Sequence, residues 1–135
     1  MKVVLDTNTI VSAIGWEGAP RRILFAVRDG RHQLVTSPDL LDELTRVLRY
    51  PKLRLVAAHP LLPIVLEWIH RPEHLAVPTE RIRAVEADPF DNLVLEAAVA
   101  GNADAIVSGD REVIALKRFR SIQILTARAF AIAHL

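Results

Sequence analysis

The run Val3-Val4-Leu5, broken off at once by Asp6-Thr7-Asn8-Thr9, constrains the fold of this chain more than any other stretch. Consecutive large or branched apolar residues without alternation read as a strand buried on both faces, the mark of a parallel sheet covered by helices. In open sheets of that kind, ligands bind beyond the carboxyl ends of the strands. Asp6 is the first charge past the strand and stands at that place. Asp, Thr and Asn also cap helices and close turns, so on this stretch alone Asp6 is equally a structural cap.

The rest of the chain supplies the alternation that such a sheet requires. A short helical turn over Thr9–Ile14 leads to Pro20, which opens a helix over Arg21–Arg28 ending at Gly30. Gln33–Thr36 reads as a strand, and Ser37-Pro38 starts a helix that runs to about Tyr50, before Pro51. Helical pieces are expected over Leu53–Ala58 and Pro60–His70, and an edge strand over Glu73–Val77. Asp88-Pro89-Phe90-Asp91 opens the most hydrophobic helix, Asn92–Ala100, closed by Gly101. Ala105-Ile106-Val107 is a second fully apolar strand, ending in Ser108-Gly109-Asp110; helix Arg111–Leu116, strand Ile122–Leu125 and helix Ala127–His134 follow. This order predicts one α/β domain over residues 1–135, its parallel sheet covered on both faces.

With 51% hydrophobic and 24% charged residues, the chain has the material of a compact fold and not of a disordered one. No apolar run nears the roughly 20 residues of a membrane span, and Met1-Lys2 leads into a strand without a signal-peptide pattern. The absence of cysteine excludes disulfides, thiolate metal sites and cysteine nucleophiles, and fits a cytoplasmic protein. Net charge is only +1, yet it is segregated: Glu73–Asp104 holds seven acids against Arg81 and Arg83. Arg46, Arg49, Lys52 and Arg54 before it, and Lys117, Arg118 and Arg120 after it, form basic stretches. Segregation of this kind suits an acidic pocket flanked by phosphate-attracting surface, and equally an ordinary solvated exterior. Trp16 and Trp68 read as packing residues, and the five histidines show no ligand spacing.

Four acids recur at the edges of elements: Asp6, Glu43, Asp91 and Asp110. Asp110 repeats the logic of Asp6, being the first charge after a buried strand. Carboxylates brought together at neighbouring strand ends repel, and one takes up a proton unless a cation intervenes. Hard divalent cations such as Mg²⁺ prefer carboxylate oxygen, whereas zinc would look for thiolates and paired histidines that this chain lacks. Asp91 has a competing reading, since Asp88 as N-cap and Asp91 three residues on resemble a capping box.

Taken together, Val4-Leu5-Asp6-Thr7-Asn8, Ser37-Pro38-Asp39-Leu40-Leu41-Asp42-Glu43-Leu44, Asp88-Pro89-Phe90-Asp91-Asn92 and Val107-Ser108-Gly109-Asp110 resemble the PIN-domain nucleases. The nearest likeness is to the branch formed by toxins of type II toxin–antitoxin (VapC-like) pairs. The resemblance implies a three-layer α/β/α fold with a five-stranded, mainly parallel sheet and a ribonuclease activity that depends on Mg²⁺ or Mn²⁺. It implies Asp6, Glu43, Asp91 and Asp110 as the catalytic and metal-binding acids, with Asn8 and Ser108 in support. Glu112 stands where many relatives carry aspartate, and its longer side chain leaves a fifth acid open. The partners implied are RNA, which the basic residues above would meet, and an antitoxin; a second copy of the chain is left open, and no membrane is involved.

Two other readings compete. A phosphatase resembling the haloacid dehalogenases would use Asp6 as nucleophile, but expects a second acid where this chain has Asn8. A regulatory domain would bind metal or RNA without catalysis. Helix phase offers a separate expectation. On the helix from Pro38, the apolar stripe Leu40, Leu41, Leu44, Val47 and Leu48 centres on Leu44. At about 100° per residue, Asp42 falls about 160° away, in water, and Glu43 about 100° away, on the border of the buried face.

Overall fold

Val3, Val4 and Leu5 occupy the interior of the sheet, as their hydrophobicity demands. The computed structural model describes residues 1–135 throughout. Its strands are β1 (Lys2–Leu5), β2 (Gln33–Val35), β3 (Ala105–Val107), β4 (Arg118–Phe119) and β5 (Ile122–Leu125). Its helices are α1 (Thr7–Gly15), α2 (Ala19–Arg28), α3 (Pro38–Val47), α4 (Arg54–Ala57), α5 (Leu61–Ile69), α6 (Leu93–Ala100), α7 (Arg111–Ile114) and α8 (Ala127–His134). Single 3₁₀ turns lie at Pro51–Leu53, Pro72–His74 and Pro89–Asn92. The sheet order is β2-β1-β3-β5-β4, parallel throughout except for the β4–β5 pair.

Two apolar clusters show why β1 and β3 lack polar alternation. Val3, Leu5, Ala105 and Val107 face a core filled from α1, α2, α5 and α8, including the fully buried Ile14, Ile23, Ile69 and Phe130. Val4 and Ile106 face the opposite core, packed by Leu95, Ala97 and Ala98 of α6 together with Ile82, Val85 and Val113. Each residue of these strands therefore meets a helical layer, and the result is a three-layer α/β/α fold. Gly101 ends α6 where a Cβ would run into the Val35 side chain of β2, so the close approach of α6 to the sheet requires glycine there. No helix is long and apolar enough to cross a membrane.

The fifth strand is not where the sequence predicts it. Glu73–Val77 forms no strand: Pro72–His74 is a 3₁₀ turn, and only Leu75 bridges Thr36. Pro72 turns the chain just before this segment and Pro78 follows it, leaving room for two ladder bonds, Thr36 N–H to His74 O and Ala76 N–H to Thr36 O, each 2.8 Å. The fifth strand is β4, a two-residue edge made possible by left-handed conformations at Lys117 (φ 60°) and Arg120 (φ 54°). Lys-Arg-Phe-Arg carries no period-2 pattern, so nothing in its composition announces a strand. The other elements hold with shifts at their ends. Helix α1 starts at Thr7, α3 stops at Val47, α7 stops at Ile114, and the segment opened by Asp88 begins as a 3₁₀ turn before α6. Trp68 is buried, whereas Trp16, beyond the end of α1, is 58% exposed and outside both cores.

Candidate functional site

The strand order reverses between β1 and β3. From β1 the chain crosses to β2 on one side, and β3 and β5 build out on the other, so the crevice beyond their carboxyl ends is a topological switch point. Asp6 and Ser108 follow directly on these two strands, tied by the Asp6 N–H to the Val107 carbonyl at 3.1 Å.

Asp6 is 7% exposed and fully engaged. Its Oδ1 accepts from the Thr9 N–H at 2.7 Å and caps α1, while its Oδ2 accepts from the Ser108 hydroxyl at 2.5 Å and the Gly109 N–H at 3.3 Å. The cap and the site are thus the same residue, using different oxygens. Ser108 Oγ in turn accepts the Asp110 N–H at 3.0 Å, so one buried hydroxyl links the two strand-end acids. Asp110 Oδ1 caps α7 through the Glu112 N–H at 2.8 Å. Glu112 contributes that N–H; its side chain is exposed and lies outside the cavity that the acids line.

Glu43 reaches the site from α3. Its side chain is 20% exposed, whereas Asp42 is exposed, in keeping with the phase of the apolar stripe. The Thr7 hydroxyl donates to Glu43 Oε1, and Arg46 Nη2 lies 4.0 Å from its other oxygen. Asp91 arrives from the turn before α6. Asp88 is the cap of that turn, accepting the Phe90 N–H at 3.0 Å, and Asp91 takes no part in a reciprocal capping box. Its carboxyl faces Asp110 instead. Burial, then the hydrogen bond and negative charge of Asp110, then the charges of Asp88 and Glu43, raise its pKa from 3.8 to about 7.

All four acids, with Asn8 and Ser108, line one cavity of about 180 Å³. A larger cavity of about 640 Å³ lies at the other side of β2, beside Arg28, Trp68 and His74, and none of the acids reaches it. The smaller one, which gathers the four acids, is the candidate site. Its ionisable donors are carboxylates, which suits a hard cation such as Mg²⁺ or Mn²⁺. Burial first and the neighbouring carboxylates second raise the pKa of Asp91, and a divalent cation would relieve the repulsive share. No group of three or more His, Cys, Asp or Glu side chains is arranged as a preformed metal cage. The carboxylates fit such a cation by chemistry and by their shared cavity, with hydroxyls and N–H groups as their present partners.

The basic residues divide. Arg46 stands at the cavity mouth, its guanidinium 4.8 Å from the centroid of the Phe90 ring. Arg49, Lys52 and Arg54 lie beyond α3, on the outside of the molecule. Arg118 and Arg120 flank Phe119, which pairs with Ile122 at the amino end of β5, so they lie toward the end of the sheet opposite the acids. Arg120 is held by Glu80, and Lys117 is exposed next to β4.

The residues that hold the Asp88–Asp91 turn are ones that sequence reasoning misses. Asn92 is buried; its Oδ1 accepts the Val85 N–H and its Nδ2 donates to the Val85 carbonyl, both at 2.8 Å. Glu96, also buried, accepts the Ile82 N–H at 2.9 Å through Oε2, while Oε1 has no hydrogen-bond partner and Arg81 stands 3.8 Å away. Taken singly, each reads as a polar residue on a solvated helix face. Their spacing of four, on an otherwise apolar helix, is the signal that they share one face. Asn92→Ala strands a buried N–H and C=O and is expected to destabilise the protein by about 2 kcal/mol. Denaturant unfolding measures the loss, and amide exchange should rise first at Val85.

A family model for the PIN domain matches residues 2–112, a span that contains all four acids. No curated protein and no solved structure matches the chain.

Proposed function

We propose that this chain, which belongs to the PIN-domain family, whose members are generally nucleases, is a divalent-metal-dependent endoribonuclease. The observation that supports this most is Asp91: a carboxyl driven to a pKa of about 7 by burial and by neighbouring carboxylates sits in a cavity lined by Asp6, Glu43 and Asp110. Burial and like-charge repulsion of this kind cost stability in the absence of a cation, and perturbed carboxyls in a cleft concentrate at functional sites.

Asp6, Glu43, Asp91 and Asp110 are the residues proposed to hold the metal. When bound, Mg²⁺ or Mn²⁺ supplies an activated water and offsets the charge that develops on a phosphodiester as its bond to the leaving oxygen breaks. The chain's own groups do the positioning. Ser108, Thr9 and Gly109 fix both oxygens of Asp6, and Thr7 fixes Glu43, so little reorganisation is needed at the moment of reaction. Arg46, Arg49, Lys52 and Arg54 are proposed to meet RNA phosphates. Lys117, Arg118 and Arg120 stand farther from the acids, and Arg120 is already paired. The motif resemblance extends the proposal to a toxin role with a cognate antitoxin, and copurification of a DNA-binding protein encoded by a neighbouring frame tests it.

The activity is tested by incubating RNA with the protein and Mg²⁺ or Mn²⁺, with and without chelator. Cleavage that chelator abolishes supports the reading, and no cleavage with either ion rejects it. Glu43→Gln should then cost about tenfold in rate, or about 1.4 kcal/mol of barrier, because Glu43 lines the cavity. Asp42→Asn should be nearly neutral, as exposed substitutions are. Equal small effects would remove Glu43 from the site.

A further inference from the structure

Phe90 is a large aromatic residue with 51% of its surface in water. Single exposed apolar residues are ordinary on protein surfaces. What sets this one apart is its address, because it lines the same cavity as the four acids and sits next to Asp91 in sequence. The backbone that carries it is fixed. Pro89 precedes it, Asp88 caps its own N–H at 3.0 Å, and Asn92 ties the far end of the turn to Val85. Arg46 covers one face of the ring, with its Cζ 4.8 Å from the centroid, and leans toward Glu43 with its Nη2 at 4.0 Å. A rigidly presented aromatic face and a guanidinium thus share the rim of a carboxylate cavity.

A phosphate drawn into that cavity leaves its flanking base at the rim. Aromatic faces stack on unpaired bases whatever their identity, and arginine beside them contacts the neighbouring phosphate. A base inside a duplex is already stacked on its neighbours and does not offer its face. Resting on the ribonuclease reading above, we propose that Phe90 is the stacking platform for an unpaired base beside the scissile phosphate, with Arg46 at the adjoining phosphate. Neither tryptophan is placed to do the same, since Trp68 is buried and neither Trp16 nor Trp68 lines the acidic cavity.

The test uses the full chain with Mg²⁺ or Mn²⁺ and a single-stranded oligoribonucleotide of known cleavage position. Phe90→Leu keeps an apolar side chain but removes the π face, and Phe90→Trp enlarges that face. Phe90→Leu is expected to raise KM about tenfold, with the loss falling on KM rather than kcat, and Phe90→Trp to keep KM within about twofold of wild type. An otherwise identical oligonucleotide with abasic nucleotides flanking the cleaved bond should erase the difference between wild type and Phe90→Leu. An unchanged KM in Phe90→Leu overturns the inference while leaving the ribonuclease intact, as does a Phe90→Leu defect that persists undiminished on the abasic substrate. A wild-type protein that cleaves no RNA with either ion overturns the ribonuclease reading and this inference with it. Thermal melting of both variants separates a stacking defect from misfolding, and a half-exposed ring is not expected to shift the melt by more than a few degrees.

Discussion

Asp6→Asn is expected to lower metal-dependent RNA cleavage by at least about a hundredfold, or about 2.7 kcal/mol of barrier, while leaving the protein folded. The two halves of this result come from different oxygens of one carboxylate. Asparagine caps helices as well as aspartate does, so the bond from Thr9 N–H to Oδ1 survives in the amide. At the other position an NH₂ replaces an oxygen that accepts from Ser108 and Gly109. The Ser108 hydroxyl can rotate and accept, but the Gly109 N–H then faces a donor and loses its partner. That costs about 1 kcal/mol, and the lost negative charge relieves part of the repulsion among the acids. The melt should therefore change by only a few degrees. The activity should not survive, because a neutral amide oxygen is a poor ligand for a hard cation and Asp6 lies between the two strand ends. Steady-state kinetics and a thermal melt on the same preparation check both halves. A variant with wild-type cleavage would mean that Asp6 is only the cap of α1.

How much of this is legible in the sequence depends on whether a residue's role is local. Val3-Val4-Leu5 and Ala105-Ile106-Val107 declare themselves because full burial suppresses alternation, and the polar residues after them mark the strand ends. Ser37-Pro38 announces α3, and the stripe centred on Leu44 places Glu43 on its border. The edge of the sheet is not legible. Glu73–Val77 has strand-like composition, but its pairing is limited by flanking prolines, while Arg118–Phe119 pairs only because two residues around it adopt left-handed backbone. Such pairings are decided by the partner strand and not by local propensity. The partners of the acids are also hidden. Thr7 to Glu43 spans 36 positions and Ser108 to Asp6 spans 102, so no window of sequence contains either pair. Asp88-Pro89-Phe90-Asp91 is conspicuous, but which of its acids caps and which faces Asp110 depends on how Asn92 and Glu96 pull the preceding loop onto α6.

Asp91→Asn is expected to move stability and activity in opposite directions. In the unfolded chain this carboxyl ionises near its ordinary value of 3.8, whereas in the fold it holds its proton to about pH 7, through burial first and then through Asp110, Asp88 and Glu43. Between those two values the unfolded state carries fewer protons than the native state, so raising the pH favours unfolding. The penalty is absent below about pH 4, grows through pH 5 and 6, and is complete above about pH 7. Water reaches this half-buried carboxyl and screens it, so the penalty is about 1–2 kcal/mol. In metal-free buffer the wild-type protein should therefore melt lower at pH 8 than at pH 5 by about 5 °C more than the variant does. Asparagine cannot ionise, so it removes this contribution and should melt above wild type at pH 8. Cleavage with Mg²⁺ or Mn²⁺ should nonetheless fall at least about a hundredfold, since the charge that destabilises the empty cavity is the charge that would bind the cation. Thermal melts across pH in chelator, paired with cleavage assays, decide the point. Parallel melting curves for the two proteins would show that Asp91 does not feel its neighbours. Full cleavage by the variant would leave it a structural residue of the turn that Asp88 caps.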